Sequence, residues 1–282
     1  MRVFSLLGLS VFMACSAPVE TDTSCVEAGY FPELTASPEN SEWDDPFVQV
    51  DCGEDTLTVT SNGIPNFEYV SLTPNALSEQ DYEWEITLNP ERTGSQVDIP
   101  LLGLAGFALN GLPIYGPNEG PFPDPYGDPV FNDIVDFCGG HTGGTEDYHN
   151  HSLVVACVLE LTDVPEDEVS PVIGFSLDGF PIYGPYGCLD EACEEVVEFE
   201  SSWETIDDPT EYAWDANVCT KDSCDEASDT FLDRCNGRVG ADGTYRYHVT
   251  SGFPYILGCY SGTASDNAGE GEPVGGGTPP SQ

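Results

Sequence analysis

A twelve-residue phrase occurs twice in this chain. Residues 106–117 read GFALNGLPIYGP and residues 174–185 read GFSLDGFPIYGP, identical at nine of twelve positions and 68 residues apart. Each is followed by a second matching block, DFCGGHTGGTEDYHNHS (136–152) and DRCNGRVGADGTYRYHV (233–249), now 97 residues apart, so the later copy carries about 29 extra residues between its blocks. A chain that repeats its local instructions builds similar units stacked on a common core. The expected layout is therefore two halves, about 100–157 and 170–262, with an insertion over 188–232 in the second.

The type of unit follows from local patterning. Thirty Gly and 23 Pro punctuate any long helix. Tyr82, Trp84, Ile86 and Leu88 alternate with Glu83, Glu85 and Thr87, the period-two pattern of a half-buried strand. Residues 47–50 and 56–60 (TLTVT) have the same character, and Asn62-Gly63 reads as a turn. The expected fold is mostly β: a pseudo-twofold duplicated β-sandwich or barrel-like domain, disulfide-rich, with a helical or loop insertion in the second half. A short helix is expected around 191–200. Asn110 and Asp178, at one position of the repeated phrase, suit a turn with positive φ. Tyr115 and Tyr183 are expected to pack the repeat interface, and residues 263–282 to form a disordered tail.

Residues 1–14 read as a secretory signal, with one Arg, a short apolar stretch and a small Ala14 before Cys15. The stretch is too short to span a bilayer, which takes about 20 residues. Its end resembles a bacterial lipoprotein cleavage box. That resemblance implies that Cys15 is lipidated, and Ser16 after it favours the outer membrane or cell surface. An ordinary signal peptide cut nearby is the other reading. Residues 15–44 would then form an N-terminal segment ahead of the domain at 45–262. Without Cys15, ten cysteines remain, an even number in a chain that reads as exported, which points to disulfides. Cys138 and Cys235 are repeat equivalents, each followed by one unmatched cysteine, so the expected pairs are Cys138 with Cys157 and Cys235 with Cys259. Cys188, Cys193, Cys219 and Cys224 would pair among themselves, and Cys25 with Cys52.

Fifty-one acidic residues against six basic ones give a net charge of −45, which repels nucleic acid and anionic surfaces. Such a field concentrates divalent cations. Asp124, Asp128, Asp133 and Asp136 lie in a Pro- and Gly-rich loop whose spacing does not fit an EF-hand, so a solvated loop is expected there.

All four histidines fall in the second blocks. His149 and His151 are two apart, so on a strand both rings share one face with Cα atoms roughly 6.5–7 Å apart. His141 follows Gly139-Gly140, where the chain can reverse sharply. Three imidazoles plus water or a carboxylate, with Glu146 and Asp147 nearest in sequence, suit Zn²⁺ or Cu²⁺. The second copy has Arg238, Arg246 and His248 at these places; two permanent cations make it the weaker candidate, better suited to an anion, a carboxylate or an ordinary ion pair.

The blocks GFALNGLPIYGP, DFCGGH, YHNH, GFSLDGFPIYGP, DRCNGR and YRYH occur in order, with SNGIPNF (61–67) upstream and FPYILGC (253–259) downstream. Together they resemble the YHYH domain family, exported proteins named for a Tyr-His-Tyr-His motif, over about residues 45–262. The resemblance implies shared structure rather than a known activity. The chain departs from the pattern at YHNH and YRYH, at Arg238 in place of His, and at Phe67 where the family pattern has His. If members bind metal through these histidines, this one keeps the first cluster.

The sequence therefore favours a lipid-anchored, non-catalytic envelope protein that binds copper or zinc through His141, His149 and His151. A metal-dependent or imidazole-based hydrolase, with His151 or His248 as base and Asp147 orienting it, is the alternative, although no GxSxG elbow is present. A structural or adhesive module without metal is the third reading.

Overall fold

A computed structural model describes residues 25–271 apart from 122, 123, 163 and 241, so the signal segment expected at 1–14 and Cys15 lie outside the described residues. Strands β1 (Val48–Cys52), β2 (Thr56–Ser61) and β3 (Tyr82–Thr87) form an antiparallel sheet. Its pleat sorts the alternating sequence: Leu57, Val59, Trp84 and Ile86 are buried, whereas Glu83 and Glu85 face outward. β4 (Val97–Asp98) precedes the first repeat. There the phrase folds into β5 (Gly106–Ala108) and β6 (Pro113–Ile114), and the second block into the hairpin β7 (Gly140–Thr142) and β8 (Tyr148–Asn150).

After helix α1 (Val155–Leu159), the second phrase gives β9 (Val172–Ser176) and β10 (Pro181–Tyr183). The insertion follows, with β11 (Tyr186–Cys188) paired to β12 (Val196–Glu198), and β13 (Trp203–Thr205) paired, beyond helix α2 (Ala213–Ala216), to β14 (Asn217–Cys219). β15 (Gly237–Val239) and β16 (Tyr245–His248) complete the second repeat, and β17 (Cys259–Tyr260) returns to β4.

The repeats make one eight-stranded sheet in the order β15-β16-β10-β9-β5-β6-β8-β7. In each half the phrase is an antiparallel pair, its second strand runs parallel to the strand carrying the YHxH-type motif, and that strand has an antiparallel edge partner. The halves join through β5 and β9, with Phe107 opposite Phe175. Edges β7 and β15 do not pair, so the sheet is an open half-barrel. Trp84 stacks on Phe107 at 5.1 Å between ring centres, which clamps the three-stranded sheet over the large one. The buried core is continuous from Val50 and Ile86 through Ile114 to Ile182 and Tyr247.

Three of the five disulfides are the expected Cys25–Cys52, Cys138–Cys157 and Cys235–Cys259, and the four insertion cysteines, expected only to pair among themselves, join as Cys188–Cys193 and Cys219–Cys224. Several expectations are corrected. Residues 191–200 form no helix; β-branched Val196 and Val197 pair with β11 instead. In the repeated phrases the positive φ falls on Gly111 (79°) and Gly179 (87°), not on Asn110 or Asp178. Having no Cβ, glycine takes that conformation cheaply, which releases the preceding polar side chains to bond the core. Asn110 donates to Asn66 Oδ1, and Asp178 Oδ2 accepts from Tyr247 and the Ser261 amide. The start of the tail is ordered: the Leu104 amide donates to Glu270 O, and the Gly269 amide to Leu104 O. In the acidic loop Asp133 is exposed, but Asp124 and Asp128 are buried and accept backbone amides.

Candidate metal centre

The hairpin β7–β8 places the histidines. His141 lies directly opposite His149 across the ladder, and His151 follows two residues after His149 on the same face. The close strand approach depends on glycine. A Cβ on Gly140 would sit 2.2 Å from His149 O and 2.7 Å from the Tyr148 ring, and one on Gly139, at φ 89°, would meet Ser152 O at 2.4 Å. Asp136 fixes the turn before β7, accepting from the Cys138 and Gly140 amides and from the Tyr148 hydroxyl. Asp233 and Tyr245 repeat that clamp in the second half. The first tyrosine of each motif is therefore structural.

The three imidazole centres lie 4.9–5.0 Å apart, with ring planes nearly perpendicular. All three rings are buried. The fourth member is Glu119, on the segment leaving β6, whose Oε2 stands 2.9 Å from His141 Nε2 and 3.3 Å from His151 Nε2. One ligating atom from each of Glu119, His141, His149 and His151 lies within 4.8 Å of the others. Buried Asp124 holds the Glu119 and Gly120 amides at 2.9 Å each, which fixes the segment from which the carboxylate projects.

Each ring is anchored from behind. His141 Nδ1 donates to Ile134 O and His151 Nδ1 to Gly116 O, both at 2.7 Å. His149 Nδ1 faces Asp147 Oδ2 at 3.4 Å. A carbonyl only accepts, so Nδ1 of His141 and of His151 carries a proton and, in the neutral ring, Nε2 presents a lone pair. Those two nitrogens and Glu119 Oε2 are buried without a hydrogen-bond partner of proper geometry. Three acceptors converging on one point, backed by outer hydrogen bonds, is the arrangement that orients metal-binding histidines.

Charge points the same way. Glu119 and Asp147 are largely buried carboxylates, and their ion-pair partners among the described residues are histidines only. Burial pushes the Glu119 carboxyl up, but the adjacent imidazoles of His141 and His151 outweigh it and hold it below the usual carboxylate range. Asp147 is likewise raised by burial and drawn down further by His149, Thr145 and Tyr115. Burial lowers His141, yet Glu119 raises it more, for a net upward shift. Burial dominates at His151 and brings it down to about 4. Two buried carboxylates facing three buried imidazoles form a charge pattern that a divalent cation would balance.

The cage opens on a cavity of about 300 Å³ lined by Leu102, Tyr115, Glu119, Asp147 and His149 among others. Tyr115 stacks on His149 at 4.1 Å and donates to Asp147, so it belongs to this site and not to the repeat interface expected from sequence. Of the two carboxylates nearest in sequence, Glu146 is exposed and Asp147 orients His149, whereas Glu119 was not foreseen. One signal for it existed. Continuing the 68-residue offset sets Glu119 against Gly187, so the acid is lost in the same copy in which His141 and His149 become Arg238 and Arg246.

The second-half equivalents form a different site. Arg238 and Arg246 face each other across β15–β16, and Arg246 pairs with Asp242 at 2.5 Å. His248 donates through Nδ1 to Gly184 O, matching the His151 bond to Gly116 O, and burial pulls it down to about 3. Phe67 packs edge-on against Phe137 and Tyr148. A family model described as YHYH protein matches residues 83–262, well over half of the chain. No curated protein and no solved structure matches.

Proposed function

The chain belongs to the YHYH protein family, and from that premise and the four-ligand cage we propose that it binds one Zn²⁺ or Cu²⁺ through His141, His149, His151 and Glu119. The observation that carries the reading is the set of buried, unpartnered Nε2 atoms of His141 and His151 converging with Glu119 Oε2. Three imidazoles and one carboxylate complete a tetrahedral shell, the closed form typical of structural zinc sites. Imidazole and carboxylate donors suit zinc and copper better than calcium or magnesium. A filled shell favours holding the ion over turning over a substrate. As bases, His151 and His248 are weakened by burial to about 4 and about 3, which speaks against the hydrolase alternative. The mirrored strand order supports reading the halves as pseudo-twofold copies of one unit, of which only the first kept its ligands.

We further propose that the protein is exported and tethered by a lipid on Cys15, on the strength of residues 1–15 and the ten remaining cysteines. Among the described residues no helix is long and apolar enough to cross a membrane. One preparation tests both readings. Expressed with its own leader in a bacterial envelope and purified from the membrane fraction, the protein should carry about one zinc or copper per chain. The His149→Ala, His151→Ala variant should carry none. Metal-free wild type, loaded or not, contradicts the metal reading; wholly soluble protein contradicts the tether.

A further inference from the structure

The second copy of the cage is a cavity in its own right, about 140 Å³, lined by Tyr183, Phe199, Arg238, Asp242, Arg246 and His248 among others. Its framework matches the first position by position. Tyr183 replaces Tyr115, Gly184 O holds His248 as Gly116 O holds His151, and Gly240 stands where Gly143 stands. Both glycines make room for the side chain above: a Cβ on Gly143 would meet the His149 ring at 2.8 Å, and one on Gly240 the Arg246 guanidinium at 2.6 Å. What differs is mainly what bears charge, and here Thr145 becomes Asp242 and Asp147 becomes Thr244. His141 becomes Arg238, His149 becomes Arg246, and Glu119 becomes Gly187.

Asp242 apart, these changes favour an anion over a cation: two imidazoles become guanidinium groups, and the carboxylates of Glu119 and Asp147 are lost. We infer that this pocket binds a small oxyanion between Arg238 and Arg246. Two of the chain's six basic residues are spent on directly opposed positions of one ladder, where like charges repel. Each guanidinium is propped on an aromatic face, Arg238 over Phe199 at 4.3 Å and Arg246 over Tyr183 at 4.9 Å. Asp242, an exposed carboxylate, takes one edge of Arg246, and Asp229 O accepts from Arg238 Nη1. The Nε–H groups of both arginines remain buried without an acceptor. Buried unpaired donors are costly, and an anion shared by two guanidinium groups relieves both that cost and their repulsion. Asp242 is then a competitor tethered at the rim. The net charge of −45 opposes any anion at long range, but screening over about 8 Å at physiological ionic strength leaves the local pair in control.

The test is calorimetric titration of the mature chain with inorganic phosphate, and separately with acetate to represent carboxylates, at about 0.15 M ionic strength. It is run on the metal-free protein and on the His149→Ala, His151→Ala variant, so that the outcome does not depend on the metal centre. Single-site binding of either anion should persist in both. Arg238→Gln and Arg246→Gln should each weaken it by about tenfold or more, the value of a charge-assisted hydrogen bond. Asp242→Asn should tighten it several-fold, a gain that disturbed folding cannot mimic. Absence of saturable binding of both anions to folded wild type, binding indifferent to the arginine variants, or weaker binding in Asp242→Asn overturns the inference.

Discussion

His149 shows how little of a ligand's behaviour lies in its own identity. Asp147 faces its Nδ1, Tyr115 stacks on its ring, and Gly143 leaves the space it fills. Asp147→Asn keeps the shape but removes the negative partner, and should lower zinc affinity by about 10–100-fold in a competitive chelator titration. Protonation gives a second residue-level prediction. Imidazole ligates metal in its neutral form, so metal entering the proposed cage must displace any protons there. Glu119 raises His141 above its ordinary value, so this ring holds its proton more firmly than a free imidazole, while burial brings His151 down to about 4. Zinc binding at about pH 6.5 should therefore release more protons than at about pH 8, and affinity should fall as pH drops. Titration in buffers of different ionisation enthalpy measures this, and a release independent of pH would contradict it. The histidines were legible because H-x-H on a strand has a forced geometry. Glu119 was not, because its place depends on a chain segment leaving a neighbouring strand and on amide bonds to Asp124.

Among the elements, the hairpin β7–β8 matters most, and the Cys138–Cys157 bridge ties its approach to α1. Removing that bridge with a Cys138→Ser, Cys157→Ser double change frees a loop with a sequence separation of 19, worth about 3 kcal/mol by chain entropy. Denaturant unfolding should show that loss together with weaker zinc binding. The Cys188→Ser, Cys193→Ser variant, in the distant insertion, should leave zinc affinity unchanged. The strand at 82–88 and the Cys138–Cys157 and Cys235–Cys259 bridges could be anticipated because period-two patterning marks one sheet face and the repeat supplies internal alignment. The insertion could not: it has no second copy to compare, and its acidic run masked a β-branched pair that only a partner strand at Tyr186–Cys188 makes extended. The tail likewise has no apolar rhythm, yet its backbone pairs with Leu104.

At the scale of the whole molecule, the excess of acidic residues sets conditions for everything else. Fifty-one acidic side chains against six basic ones repel one another in the compact state and relax when screened. The melting temperature of the metal-free protein should rise as sodium chloride goes from about 10 mM to 1 M, where the screening length shrinks from about 30 to 3 Å. A flat profile in calorimetry would mean the charges are spaced so that they do not strain the fold. Within that field the proposed division sets carboxylate and imidazoles converging in one half against opposed guanidinium groups in the other.

The coordination shell itself is the most direct test of that division. An X-ray absorption spectrum of zinc-loaded protein at the metal edge should give four nitrogen or oxygen neighbours at about 2.0–2.1 Å, three with the outer-shell scattering of imidazole. Sulfur in the first shell, six oxygen neighbours, or fewer than three imidazoles would contradict the cage formed by Glu119, His141, His149 and His151.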